Sequence, residues 1–182
     1  MSGAGFTLFD TAIGRCGIAW SGRGVVALQL PEAGDEATRA RMLRRFADLA
    51  EAAPPANVQA AIDKIQSLLR GEAIDLSSVV LDLDGAPQFN RQVYEIARTI
   101  PAGETMTYGE IARRLGDVQL SRAVGQALGL NPVAIIVPCH RVLGADRKPG
   151  GFSGGGGVQT KLKMLSIERA HIGGTRDLFD LV

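Results

Sequence analysis

At Asp84-Gly85-Ala86-Pro87 the spacing of apolar side chains changes from a period of two to one of about three and a half. That change divides the chain into two differently built parts, 1–85 and 86–182. In the first, residues 6–10, 15–20 and 24–30 read as strands separated by Ile13-Gly14 and Ser21-Gly22-Arg23-Gly24. Such short connections predict an antiparallel three-stranded meander. Met42, Leu43, Phe46 and Leu49 predict a helix over 35–51, and Ile62, Ile65, Leu68 and Leu69 a second over 58–70, with Gly71 as terminator. Residues 78–83 read as one more strand. The expected fold is α+β: a small amino-terminal α/β domain followed by a mainly helical domain.

Beyond the boundary, Phe89, Val93, Ile96, Ala97 and Ile100 share one helical face. Thr107-Tyr108-Gly109-Glu110 has the spacing of a capping box, in which threonine and glutamate satisfy each other's free amides. Such a cap contributes about 1 kcal/mol and marks where a short helix begins. That helix runs through Ile111, Ala112 and Leu115 to Gly116, and another follows over 120–129, ahead of Asn131-Pro132. Two short helices with a tight connection match a helix-turn-helix outline, which core helix pairs also match. On the second helix Ala123, Gly125, Ala127 and Gly129 leave a low surface with Arg122 as its one charge. A major-groove reader would offer more side chains to base edges; small residues with one arginine suit a minor groove, or close packing on a neighbour.

The chemistry is concentrated in Ile135-Ile136-Val137-Pro138-Cys139-His140-Arg141-Val142. A thiol is an effective nucleophile only as thiolate, which neighbouring positive charge or a hydrogen-bonded base favours. Pro138, with its fixed φ, stiffens the approach to the sulfur. The apolar stretch 133–137 predicts a buried strand or extended segment that delivers Cys139 to a site edge. The alternative is a buried structural cysteine followed by surface charges.

Composition narrows the setting. Net charge is +1, but residues 1–85 carry −3 and residues 86–182 carry +4, which permits phosphate contact in the second part. Two cysteines are too few for a disulfide scaffold and suit a reducing compartment. No signal-peptide pattern and no apolar run of membrane-spanning length is expected. The glycine-rich stretch 150–157 lacks the Gly-Lys-Ser/Thr ending of a phosphate loop. No metal or cofactor is expected, since two histidines and two cysteines are too few once His140 serves the thiol.

Taken in order, Thr107-Tyr108, Arg122-Ala123-Val124-Gly125, Asn131-Pro132, Pro138 to Val142, Gly151-Phe152-Ser153-Gly154 and Met164-Leu165 with Glu168 resemble the O6-alkylguanine-DNA alkyltransferases, or methylated-DNA–protein-cysteine methyltransferases. The likeness covers roughly 86–168. It implies direct repair of duplex DNA, in which an alkyl group on guanine O6, or thymine O4, passes irreversibly to Cys139. By this resemblance His140 is the base, reached from the sulfur through a water, and Glu168 orients its ring. Asn131 holds the active-site segment. Tyr108 donates toward guanine N3 and crowds the target phosphate. Arg122 fills the gap left by the flipped base, with Ala123 and Gly125 beside it in the minor groove. Phe152, Ser153 and the carbonyl of Val142 belong to the guanine pocket. The resemblance further implies a cytoplasmic monomer able to associate along DNA. Gly154 to Gly157 exceed the family's usual run by about two glycines, Phe152 stands where tyrosine is frequent, and Gly129 replaces a position that is sometimes basic. Two competing readings are an alkyltransferase-like lesion-recognition protein, whose relatives lack the acceptor cysteine, and a cysteine hydrolase or redox thiol. For the latter, neither an oxyanion loop nor a resolving cysteine is evident.

Overall fold

The computed structural model of the chain describes residues 3–150 and 156–170. Strands β1 (Gly5–Thr11), β2 (Gly14–Ser21) and β3 (Gly24–Gln29) form the expected antiparallel meander. The middle strand is covered on both faces, so Cys16 to Trp20 are buried without alternation. Ile18 and Trp20 belong to one core with Ile62, Ile65 and Leu69 of α2 (Ala56–Leu69). Ala19, with Phe6 and Ala27, meets Met42 of α1 (Asp35–Arg45).

Two expectations for this part need correction. The first helix stops at Arg45 rather than reaching residue 51, because the backbone beyond it serves the sheet. Phe6 N donates to Ala50 O and Ala52 N to Phe6 O. Phe46 and Leu49 then reach the same core as Met42 from outside the helix. Residues 78–83 form no strand, only an isolated bridge between Val25 and Leu81. Arg98 Nη2 takes the carbonyls of Leu76, Ser77 and Val79 at 3.0, 3.1 and 2.8 Å, which holds the start of this segment and the residues before it in an irregular path.

Past residue 86, α3 (Gln88–Ala97), α4 (Tyr108–Arg114) and α5 (Ser121–Gly129) enclose a second core around Val93, Tyr94, Ile111, Val124 and Leu128. Tyr94 Oη donates to Ala127 O at 2.8 Å, inside that core. Ala127 is therefore buried and not part of the low surface; the exposed positions on that helix include Arg122, Gln126 and Gly129. The capping box forms as its spacing predicts: Glu110 N donates to Thr107 Oγ1 at 3.1 Å and Thr107 N to Glu110 Oε2 at 2.6 Å. Two short strands, β4 (Met106–Thr107) and β5 (Val142–Leu143), pair in parallel and tie α4 to the chain just after the cysteine. The last described helix is α6 (Gly157–Ile167).

The first core does not end at residue 85. Val133, Ile135, Ile136 and Met164 belong to it, and Leu28 N donates to Pro132 O at 3.0 Å. The sheet thus supports the chain that leads to Cys139. That chain is not extended. Ile136 N donates to Ala134 O and Val137 N to Val133 O, and Ile135 sits at φ 71°, a left-handed angle that is rare for a β-branched residue. Strain of about 1–3 kcal/mol in such a residue persists only where its surroundings over-determine it. Here the cause is Asn131, whose Oδ1 accepts from Val133 N and whose Nδ2 donates to Val137 O, both at 2.9 Å. One side chain closes a loop that apolar composition alone would have made a strand.

Candidate active site

Cys139 opens a 3₁₀ turn, Cys139–Arg141, directly after the loop that Asn131 clamps. Its amide donates to Val137 O at 2.8 Å, so backbone bonds lead right up to the sulfur-bearing residue. Burial pushes its thiol pKa up. The Asn131 side chain, the Lys161 charge and the amides of Cys139 and His140 act in the opposite sense. In the resting protein the thiol is the favoured form, so a proton acceptor is needed.

His140, the next residue, carries a group that can act as one. Its side chain and that of Glu168 are each 1% exposed, and Nε2 lies 2.9 Å from Glu168 Oε1. Burial alone would raise the Glu168 pKa, but the charges and hydrogen bonds of His140 and Arg141 outweigh it and hold it at about 2. Glu168 is therefore a carboxylate and can only accept, which makes Nε2 the donor. In neutral imidazole the lone pair then falls on Nδ1, a buried atom with no hydrogen-bond partner among the described residues. A base atom with an uncommitted lone pair thus stands one residue from the cysteine.

Two further residues complete this centre, and sequence reasoning assigned neither a role. Arg141, 6% exposed, grips both oxygens of Glu168, from Nε at 2.9 Å and from Nη2 at 2.7 Å, while Nη1 donates to Ile100 O at 2.7 Å. A planar fork of this kind suits a buried carboxylate. Lys161, 1% exposed, donates from Nζ to Val142 O at 2.7 Å. Burial lowers its pKa, an effect that a thiolate at Cys139 opposes. The signal for Lys161 was available: it lies three and four residues before Met164 and Leu165, on the buried face of α6. Lys161→Met should shift the pH profile of Cys139 alkylation by iodoacetamide upward, slowing the reaction at pH 7 by about tenfold. Peptide mass spectrometry across pH reads this directly, and an unmoved profile would show that the lysine does not act on the sulfur.

The remaining expected residues divide clearly. Tyr108 begins α4 with its ring over Gly125, where a Cβ would stand 3.8 Å from the ring. Its hydroxyl pKa is raised by burial and, when Cys139 is a thiolate, by that charge. Arg122 is exposed and, with Tyr108, Gly125, Gln126 and Arg113, lines an open groove between α4 and α5; Ala123 lies beside it, half-buried. Val142 is buried in β5, its carbonyl held by Lys161. A small cavity of about 180 Å³ reaches Cys139 and is also lined by Asn131, Leu128 and, from the amino-terminal part, Arg41 and Arg45. Phe152 and Ser153 lie outside the described residues. Among the described residues no group of three or more His, Cys, Asp and Glu side chains is placed to hold a metal ion. No described helix is long and apolar enough to cross a membrane.

Comparison with known proteins places both the sequence and the fold. Residues 88–170 match the DNA-binding domain of 6-O-methylguanine DNA methyltransferase. The methylated-DNA–protein-cysteine methyltransferase of Mycolicibacterium paratuberculosis is 44% identical over 120 residues, 66% of this chain and 70% of that protein. That of Mycobacterium leprae is 36% identical over 171 residues, 94% of this chain and 96% of its own. The crystal structure of Mycobacterium tuberculosis O6-methylguanine methyltransferase superposes over 98% of this chain and 99% of that one, with TM-score 0.73 and 35% identity. The structure of M. tuberculosis OGT in complex with DNA covers 90% and 91%, with TM-score 0.72 and 35% identity. Identity sustained over nearly the full length of a relative, on the same fold, makes this chain a member of the methylated-DNA–protein-cysteine methyltransferase family.

Proposed function

We propose that Cys139 is the acceptor in a single-turnover repair reaction, taking a methyl or larger alkyl group from guanine O6, and from thymine O4, in duplex DNA. The observation that carries this reading is the tautomer that Glu168 imposes on His140: Nε2 donates, so the Nδ1 lone pair is free to receive a proton. The thiol proton passes to His140, with a water as the relay. The thiolate sulfur forms a bond to the alkyl carbon as the carbon–O6 bond breaks. The electron pair stays with guanine, whose N3 receives a hydrogen bond from Tyr108. Glu168 stabilises the imidazolium that results. The product is a thioether that the site has no means of reversing.

A base inside a duplex cannot reach the sulfur, so the nucleotide is turned out at a cost of a few kcal/mol. Arg122 stands on the exposed face of α5 to occupy the vacated stack, with Ala123 and Gly125 allowing close approach to the minor groove. The protein acts as a monomer on chromosomal DNA in the cytoplasm. The direct test is to weigh the intact protein after incubation with a duplex bearing O6-methylguanine. One methyl increment on the peptide containing Cys139 is expected; binding without mass gain, or repeated turnover, would refute the proposal. Arg122→Ala should slow transfer from duplex DNA by about tenfold or more and leave reaction with free O6-benzylguanine nearly unchanged. Equal losses on both substrates would remove the stack-filling role.

A further inference from the structure

Just past β5 the backbone takes an unfavourable path. Asp146 and Arg147 both hold left-handed angles, φ 64° and 53°, which glycine adopts freely and other residues seldom adopt in succession. Backbone bonds from Arg147 N to Gly144 O and from Gly144 N to Lys148 O close the turn. The Arg147 side chain then crosses to the start of α4. Nη1 donates to Thr105 O at 3.1 Å and Thr105 Oγ1 at 3.0 Å, and Nη2 donates to Glu110 Oε1 at 3.1 Å. The other oxygen of Glu110 is the one that caps α4. One carboxylate therefore holds both the helix start and the turn. Tyr108 sits between Thr105 and Glu110. Gly150, three residues beyond Arg147, approaches it so closely that a Cβ there would stand 3.3 Å from its hydroxyl oxygen.

The pair is half-exposed, with side-chain exposures of 43% and 36%, so charge attraction by itself contributes little. Three hydrogen bonds from one rigid fork nevertheless fix a direction and a distance. We propose that Arg147 is a positioning residue for alkyl transfer: its guanidinium ties the turn over 144–150 to the foot of α4 and sets the spacing between Tyr108 and the backbone at Gly150. The strained angles are then the consequence of placing that side chain across the gap. This proposal rests on Cys139 being the alkyl acceptor.

Arg147→Gly separates positioning from stability, because glycine relieves the backbone strain while deleting the tie. Methylation of Cys139 is followed by mass over a range of lesion-duplex concentrations, which splits binding from the limiting rate. O6-Benzylguanine serves as a second substrate, and thermal unfolding is recorded alongside. The expected result is an unchanged or higher Tm, duplex affinity within about twofold, and a limiting rate lower by about fivefold on both substrates. Arg147→Lys should recover only part of the rate, since an ammonium cannot reproduce the fork. Wild-type rates in Arg147→Gly would overturn the proposal, and so would a rate loss that merely follows a fall in Tm. If the wild-type protein itself gained no methyl group, the acceptor reading would fail first and this proposal with it.

Discussion

Cys139→Ser and Cys139→Ala should both show no gain in mass on incubation with a duplex carrying O6-methylguanine, while lesion binding stays within about threefold of wild type. The expected loss of transfer is complete, because in the proposed reaction the sulfur is the atom that keeps the carbon. Serine is the more telling variant. It keeps a hydroxyl of similar size beside the same His140, but its oxygen is far less readily ionised and less polarisable. Fold should survive in either case. The residue keeps partial exposure, and its neighbours are held by Asn131 and by backbone bonds rather than by the sulfur. A variant that lost lesion binding and cooperative unfolding together would identify Cys139 as structural.

The second large effect is expected at Glu168. Glu168→Gln leaves Arg141 buried beside a side chain that can no longer balance its charge. Breaking a buried pair by removing one partner costs about 3–5 kcal/mol, on the order of 10 °C in Tm for a chain of this size. Transfer should also fall roughly a hundredfold, since an unsupported imidazole is a poorer base and its charged form is no longer stabilised. The pH dependence has a definite sign. The folded Glu168 pKa is depressed, to about 2 from an ordinary 4.5, so its contribution is fully present above about pH 4.5 and is lost as pH falls toward 2. That contribution is roughly 3 kcal/mol. Urea midpoints for wild type and Glu168→Gln should therefore lie far apart at pH 7 and converge on acidification. A gap that stayed constant from pH 7 to pH 2 would show that the carboxylate is not held ionised by its neighbours.

How much of this was legible beforehand depended on how local each signal is. The capping box at Thr107 and Glu110 spans three residues, and it formed as its spacing predicts. The meander was readable because its turns are short and its strands alternate with glycine-bearing connections. The segment 133–137 was misread because its composition speaks for a strand, whereas Asn131 imposes a closed loop through two side-chain bonds. Residues 78–83 failed in a similar way, since Arg98, at the end of α3, takes carbonyls just ahead of them and that of Val79 within them.

The sequence by itself determined which side chains stand where the proposed chemistry needs them: a cysteine, a histidine beside it, a tyrosine at a helix start and an arginine on a low-surfaced helix, all in short runs of recognisable order. Only the tertiary structure decided how those atoms are charged and held. Glu168 meets His140 and Arg141 across more than twenty residues, Lys161 reaches Val142 across nineteen, and Arg147 reaches Thr105 across forty-two. No local periodicity encodes such pairings. The first two arise because a buried charge must find its partner wherever packing brings one near, and that packing, like the turn that carries Arg147 to Thr105, is a property of the whole fold.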